Sequence, residues 1–265
     1  MQLNGCHALV TGASAGIGRE LARQLAGRAA SLVLVARRSE RLEELATELR
    51  ARHPQLGVEI RTADLSRHES VDELLAWLSE RKPPVDLLVN NAGLGDIGAF
   101  ATSDPEKLDR MMLVNMVALT RLTRGLLPAM IAQRRGGILN VSSSASFLPI
   151  PNFAVYAATK AYVTSFSDAL RSELRGKGVS VTALCPGPVR TEFTEVARRT
   201  PDGVMPAPES AHVPVEDVAR AGLHGLMRNR PIIIPGGMMK FGMTVVRLMP
   251  RSLLRWAGRF NRKPA

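Results

Sequence analysis

The sequence predicts a single α/β domain built on a doubly wound, seven-stranded parallel sheet with helices on both faces. Short apolar β-type runs alternate along the chain with amphipathic helical runs. Several of the apolar runs are unbroken, such as Leu-Val-Leu-Val at 32–35, which marks strands buried on both faces. A length of 265 residues suits one substantial core better than two.

Strands are expected at 7–10, 32–35, 58–61, 86–90, 137–141, 179–184 and 232–234. Between them, leucines and alanines at three- and four-residue spacings place helices near 16–27, 40–52, 68–81, 105–133, 154–175 and 215–228. Strand–helix alternation with short connections gives a doubly wound sheet, whose ligands bind beyond the carboxyl ends of the strands. Residues 186–214, rich in proline and turn formers, read as one long irregular stretch, a lid over a site or a disordered segment. The domain is expected to span 1–235 and to leave 236–265 as a tail.

Composition narrows the function classes. At 45% hydrophobic and 22% charged, the chain has ordinary globular content. The first strand starts too early for a leader peptide, and no run of eighteen apolar residues exists. Cys6 and Cys185 lie far apart without metal-ligand spacing, so no metal is expected and a reducing, cytoplasmic setting fits. The net charge of +11 is local: ten of the 35 basic residues and none of the 24 acidic ones follow Asp217. The body is therefore close to neutral. With no aromatic stacking platform either, nucleic acid is not an expected partner.

The first strand runs directly into Thr11-Gly12-Ala13-Ser14-Ala15-Gly16-Ile17-Gly18, which opens the first helix. Glycines there permit a tight turn and close approach of backbone N–H groups to a phosphate, while the helix N-terminus supplies partial positive charge. Downstream, Tyr156 and Lys160 stand four residues apart on one face of a helix. A lysine ammonium at that separation can act on a phenol. Moving a tyrosine from about 10 to about 7 requires roughly 4 kcal/mol, and a unit charge at about 5 Å contributes on the order of 3 kcal/mol. Taken singly, each residue also has a structural explanation: Tyr156 as a half-buried aromatic, Lys160 as a partner of an acid, Ser143 as a strand-end hydroxyl, Asn115 as a helix polar residue.

Together, the Gly-x-x-x-Gly-x-Gly turn, Asp64-Leu65, Asn90-Asn91-Ala92-Gly93, Asn115, Ser143, Tyr156-x-x-x-Lys160 and Pro186-Gly187 with Thr191 resemble the short-chain dehydrogenase/reductase family in its small, single-domain, NADP-preferring branch. The resemblance covers about residues 5–191, and with the last helix and strand reaches 234. It implies a Rossmann-type fold and an enzyme moving a hydride between a nicotinamide cofactor and a carbonyl or alcohol carbon. Tyr156 would be the general acid/base and Lys160, with the oxidised nicotinamide ring, would lower its pKa. Ser143 would bond the substrate oxygen, and Asn115 would hold a water linking Lys160 to solvent.

The same resemblance implies a cofactor site formed by Gly12, Ser14, Gly16, Ile17, Gly18, Asp64, Leu65, Asn91, Ala92, Gly93, Tyr156, Lys160, Pro186, Gly187, Val189 and Thr191. Thr191 would bond the nicotinamide carboxamide. Asp64 would bond the adenine amino group, though it could equally cap the helix that follows. The second strand ends in Ala36, Arg37 and Arg38 instead of an acidic residue, which favours the 2′-phosphate of NADP(H) over the free hydroxyl of NAD(H). Arg37 would grip that phosphate, with Arg38 or Arg41 nearby. Ala15 stands where many NADP-using relatives carry a second basic residue. A homodimer or homotetramer, paired through the helices bearing Asn115 and Tyr156, is also implied.

Leu94, Phe147, Phe153 and the loop at 192–213 flank these residues in sequence and are expected to wall a substrate pocket for a hydrophobic carbonyl compound or alcohol. A non-catalytic NADP-binding sensor or scaffold is the rival; Ser143, Tyr156 and Lys160, all present, count against it. In the tail, Arg247, Arg251, Arg255 and Arg259 recur at four-residue intervals among apolar residues, interrupted by Pro250. Two readings stay open for 238–263: the tail lies on an anionic membrane surface or covers a partner or the active-site mouth, or it is a helix packing its apolar side on its own domain.

Overall fold

The computed structural model describes residues 1–199, 212–250 and Ser252. Seven strands form one sheet: β1 (His7–Thr11), β2 (Ser31–Ala36), β3 (Gly57–Thr62), β4 (Leu87–Asn90), β5 (Gly136–Val141), β6 (Val179–Leu184) and β7 (Ile232–Ile233). Their order is β3-β2-β1-β4-β5-β6-β7, and every neighbouring pair is parallel. This is the doubly wound Rossmann-type sheet that the sequence predicts. The chain goes from β1 outward to β2 and β3, then returns to place β4 on the other side of β1. That reversal opens a crevice at the carboxyl ends of β1 and β4.

The unbroken apolar strands are explained by the two layers that cover them. Ala8, Val10, Leu32 and Leu34 pack on one face against Leu21 and Leu25 of α1 (Gly16–Ala26), Leu42 and Leu45 of α2 (Ser39–Arg52) and Val218 and Leu226 of α8 (Val215–Met227). The alternating residues Leu9, Val33, Val35 and Leu88 face Val71 and Leu74 of α3 (His68–Ser79) and Leu122 and Leu126 of α5 (Leu119–Ala132). Period-two alternation thus sends each strand's side chains into two separate cores.

The structure departs from expectation in two stretches that position the site. The helix predicted at 105–133 is a continuous helical run, but α4 (Pro105–Met112) and α5 are joined by a π-helical turn at Leu113–Ala118. Asn115 lies inside that turn, where the backbone widens. The 186–214 stretch is not irregular throughout: it contains α7 (Glu192–Ala197), and residues 200–211 lie outside the described residues. After β7, α9 (Gly237–Leu248) follows Gly236, and α6 (Ala154–Glu173) carries Tyr156 and Lys160.

Candidate active site

A cavity of about 530 Å³ lies at the carboxyl end of the sheet, with walls from the segments after β1 to β6 and from α6, α7 and α9. Of the residues singled out in the sequence, Gly12, Ser14, Gly16, Ile17, Arg37, Arg38, Asp64, Leu65, Asn91, Ala92, Gly93, Pro186, Gly187, Val189 and Thr191 line it, together with Ser143, Tyr156, Lys160, Leu94 and Phe153. Most sit in the segments directly after strands, and the start of α6 adds Phe153, Tyr156 and Lys160.

The end formed by β1 and α1 fits a phosphate-bearing ligand. Gly12 has φ +65°, and a Cβ there would lie 2.7 Å from Asn91 Nδ2. Gly16 has φ +54°, and a Cβ there would press on Thr191 Cγ2 at 3.1 Å. Both positions therefore need glycine. Gly18 does not line the cavity; it packs directly under Asn91, whose Nδ2 donates to the carbonyls of Thr11 (3.0 Å) and Gly12 (3.2 Å). Among the described residues no side chain caps the N-terminus of α1, whose first N–H groups are placed to meet a ligand.

Arg37 and Arg38 rise from the end of β2 at the same end of the cavity, and Arg38 Nη2 reaches Ser14 Oγ at 3.4 Å. Asp64 accepts from the N–H (3.0 Å) and hydroxyl (2.8 Å) of Ser66, so it closes the turn ahead of α3 while also lining the cavity. Burial works to raise its pKa, but those bonds and the charges of Arg37 and Arg67 outweigh it and hold the carboxyl below its ordinary value.

At the other end, Tyr156 and Lys160 are both buried. Lys160 Nζ lies 5.6 Å from the centre of the Tyr156 ring and donates to the Val141 carbonyl at 2.9 Å. Ser142 Oγ donates to the Lys160 carbonyl at 2.9 Å, fixing α6 against the end of β5. Burial pushes the phenol up to about 12, with the Ser143 hydroxyl pulling the other way, and it brings the Lys160 ammonium down to about 8. The downward shift of Tyr156 expected from the sequence is therefore not present in the protein by itself. Its ring stacks on Phe153 at 4.1 Å and meets Phe193 of α7 at 5.4 Å.

Asn115 does not line the cavity but stands behind it. Its Oδ1 accepts from Leu94 N at 2.8 Å, and its Nδ2 donates to Leu94 O and Thr159 Oγ1, each at 3.0 Å. Phe147, expected as a pocket wall, is not among the lining residues; its ring carries the Arg247 guanidinium at 5.4 Å. Phe193, in the 192–213 loop expected to wall the pocket, lines the cavity; the sequence reading missed Leu148, Ile150, Met239 and Met243, which complete the apolar part of the wall.

It also missed a cluster beside the cavity, where Asp96 accepts from Arg199 Nε (2.9 Å) and pairs with Lys107 (3.0 Å). Arg199 bonds to Asp96 and Lys107 adds to it, holding the carboxyl below its ordinary value. Among the described residues no group of three or more His, Cys, Asp or Glu side chains could hold a metal ion.

The family profile for short chain dehydrogenase matches residues 6–202. A short chain dehydrogenase of Pseudocercospora fijiensis is 38% identical over 72% of this chain, which spans 62% of that protein. Sulfoacetaldehyde reductase of Chromohalobacter salexigens is 42% identical over 71% of this chain and 74% of its own length. Among solved structures, a Sphingobium yanoikuyae short-chain dehydrogenase in complex with NADPH superimposes with a TM-score of 0.81 at 31% identity, over 98% of this chain and 97% of that one. A bulky-bulky ketone specific alcohol dehydrogenase from Comamonas testosteroni gives 0.77 at 30% identity, over 95% and 94%. A Burkholderia phymatum relative in complex with NAD gives 0.82 at 26% identity, over 100% and 98%.

The sheet, the family profile and the superimposed relatives thus define a nucleotide-binding oxidoreductase. The chain belongs to the short-chain dehydrogenase/reductase family.

Proposed function

We propose that the protein interconverts a carbonyl and a primary or secondary alcohol with NADP(H), using Tyr156 as the proton donor and acceptor. The observation that carries the reading is one cavity joining the glycine turn and its arginines to a buried Tyr156, Lys160 and Ser143. Bound NADPH supplies the hydride. With its pKa held near 12, the Tyr156 hydroxyl keeps its proton at neutral pH and gives it to the substrate oxygen during reduction. Ser143 steadies the charge that develops on that oxygen. The Lys160 ammonium sets the local field and attracts the proton deficit left on the phenol. Asn115 acts through others: it fixes Leu94 in the cavity wall and ties α6 to the π-turn through Thr159.

NADP(H) is preferred over NAD(H) in this reading because Arg37 and Arg38 follow β2 where an acidic residue would oppose a 2′-phosphate. Relatives of both kinds exist, so the preference rests on these arginines. The substrate is a hydrophobic carbonyl compound or alcohol. Leu94, Ile150, Phe153, Phe193, Met239 and Met243 offer an apolar wall suited to bulky ketones of the kind named for the Comamonas enzyme, and poorly suited to a small sulfonated aldehyde. Pairing of two or four copies would use α5 and α6, where Tyr162 stacks on Phe166 at 5.8 Å and stays exposed.

Helix α9 supports the membrane reading of the tail. Met239 and Met243 point to the cavity, while Met238 (75% exposed), Phe241 (73%) and Leu248 (81%) face outward. An outward apolar face with lysine and arginine but no acid suits an anionic lipid surface. The cofactor and substrate readings are tested by an NADPH-oxidation screen over hydrophobic ketones and aldehydes, with NADH in parallel. Turnover with NADPH at higher kcat/KM than with NADH is expected. Tight NADPH binding without turnover of any compound would leave a nucleotide-binding protein instead.

A further inference from the structure

Helix α7 is fastened at both ends, and the two fastenings differ in kind. Beyond its C-terminal end, Arg199 is held by Asp96, whose side chain is 1% exposed, and Ile97 N donates to Ala197 O at 2.8 Å. At its N-terminal end, the Glu192 carboxylate bridges two arginines, accepting from Arg38 Nη1 at 2.9 Å and pairing with Arg41. These three side chains are each 38–45% exposed. The same Arg38 extends its other nitrogen to Ser14 in the glycine turn. An anionic group of the chain itself therefore occupies Arg38, one of the two arginines lining the phosphate end of the cavity, and the neighbouring Arg41.

We propose that Glu192 is a cofactor-discriminating residue whose carboxylate competes with the 2′-phosphate of NADP(H) for Arg38 and Arg41. This rests on the reading that the arginines after β2 take that phosphate. Arg38 and Arg41 cannot neutralise both anions fully, and two anions at one arginine pair repel each other. A dinucleotide without the 2′-phosphate meets no such competition, so Glu192 narrows the margin by which NADPH is favoured over NADH. Release of Glu192 is also felt at the catalytic end. Phe193, the next residue, packs on the Tyr156 ring, and a Cβ on Gly95 would lie 2.7 Å from Phe193 Cζ, so this part of α7 has little slack. The buried Asp96–Arg199 fastening keeps the far end of α7 in place while the near end exchanges partners.

Exposed ion pairs are individually weak, and losing two of them corresponds to roughly a fivefold change in affinity. The test is titration of the full chain with NADPH and with NADH, for the wild type, Glu192→Gln, Arg38→Met/Arg41→Met and the triple variant. Glu192→Gln should bind NADPH about fivefold more tightly and NADH within twofold of the wild type, with no gain when both arginines are methionine. If the double arginine variant binds NADPH as the wild type does, those arginines do not take the phosphate, and the proposal falls with that part of the NADP reading. If it binds NADPH more weakly but Glu192→Gln shows no gain, the competition is overturned while the NADP reading stands.

Discussion

Lys160 Nζ donates to the carbonyl of Val141 at 2.9 Å while standing 5.6 Å from the centre of the Tyr156 ring. The lysine is thus anchored to the end of β5 and not to the phenol. Burial lowers this ammonium to about 8 and raises the phenol to about 12. As pH rises, the lysine therefore loses its proton first, while the tyrosine remains a proton donor. The kcat/KM for carbonyl reduction, which reports the free enzyme, should be level below pH 8 and fall about tenfold per unit above it. A profile level to pH 10 would remove Lys160 from the account.

Arg37 lines the cavity directly after Ala36, and in the proposed reading its charge selects the cofactor. Arg37→Ala removes a charge-assisted contact and should raise the KM for NADPH roughly tenfold to a hundredfold, leaving the KM for NADH within about twofold. Equal effects on both cofactors would mean that Arg37 reads something other than the 2′-phosphate.

Asp96 joins Arg199 and Lys107 just beyond the C-terminal end of α7, with its own side chain almost wholly buried. Asp96→Asn leaves two cations without their carboxylate, and because both cations keep some solvent contact the loss should be about 2–3 kcal/mol, read as a lower denaturation midpoint. The Asp96 carboxyl titrates below its ordinary 3.8 in the folded protein, so its stabilisation is complete above about pH 4 and fades as pH falls through the lowered value. Wild type and Asp96→Asn should therefore converge in stability in strong acid; a gap that widens there would contradict the assignment.

The outward face of α9 predicts a separable behaviour. Met238→Glu with Phe241→Glu places two acids on a surface otherwise apolar and basic, and should abolish co-sedimentation with anionic liposomes without lowering turnover of a water-soluble carbonyl substrate. If the wild type fails to sediment with those liposomes, or the variant sediments equally, the membrane reading is wrong.

What the sequence made legible was governed by local periodicity. The glycine turn announces itself because strand, turn and helix are contiguous, and Tyr156 and Lys160 share a face because four residues make about one helical turn. Flanking in sequence was a partial guide to facing in space: Leu94, Phe153 and Phe193 line the cavity, and Phe147 does not. Phe147 follows Ser143 closely, yet it ends a 3-10 turn at Ser144–Phe147 that directs it toward Arg247. The proline-rich stretch after β6 concealed α7, a helix too short to show a repeat, whose place is fixed by partners at Arg38 and Asp96 more than a hundred residues earlier. The π-turn around Asn115 likewise has no sequence period of its own; its register is set by Leu94 and Thr159.

The central claim is that the Tyr156 hydroxyl donates the proton, and Tyr156→Phe removes that atom while keeping the ring that stacks on Phe153. With the best carbonyl substrate from the screen, single-turnover oxidation of bound NADPH should slow by about a thousandfold, while the NADPH Kd stays within about twofold. A Tyr156→Phe protein that oxidises NADPH within threefold of the wild-type rate would contradict the account.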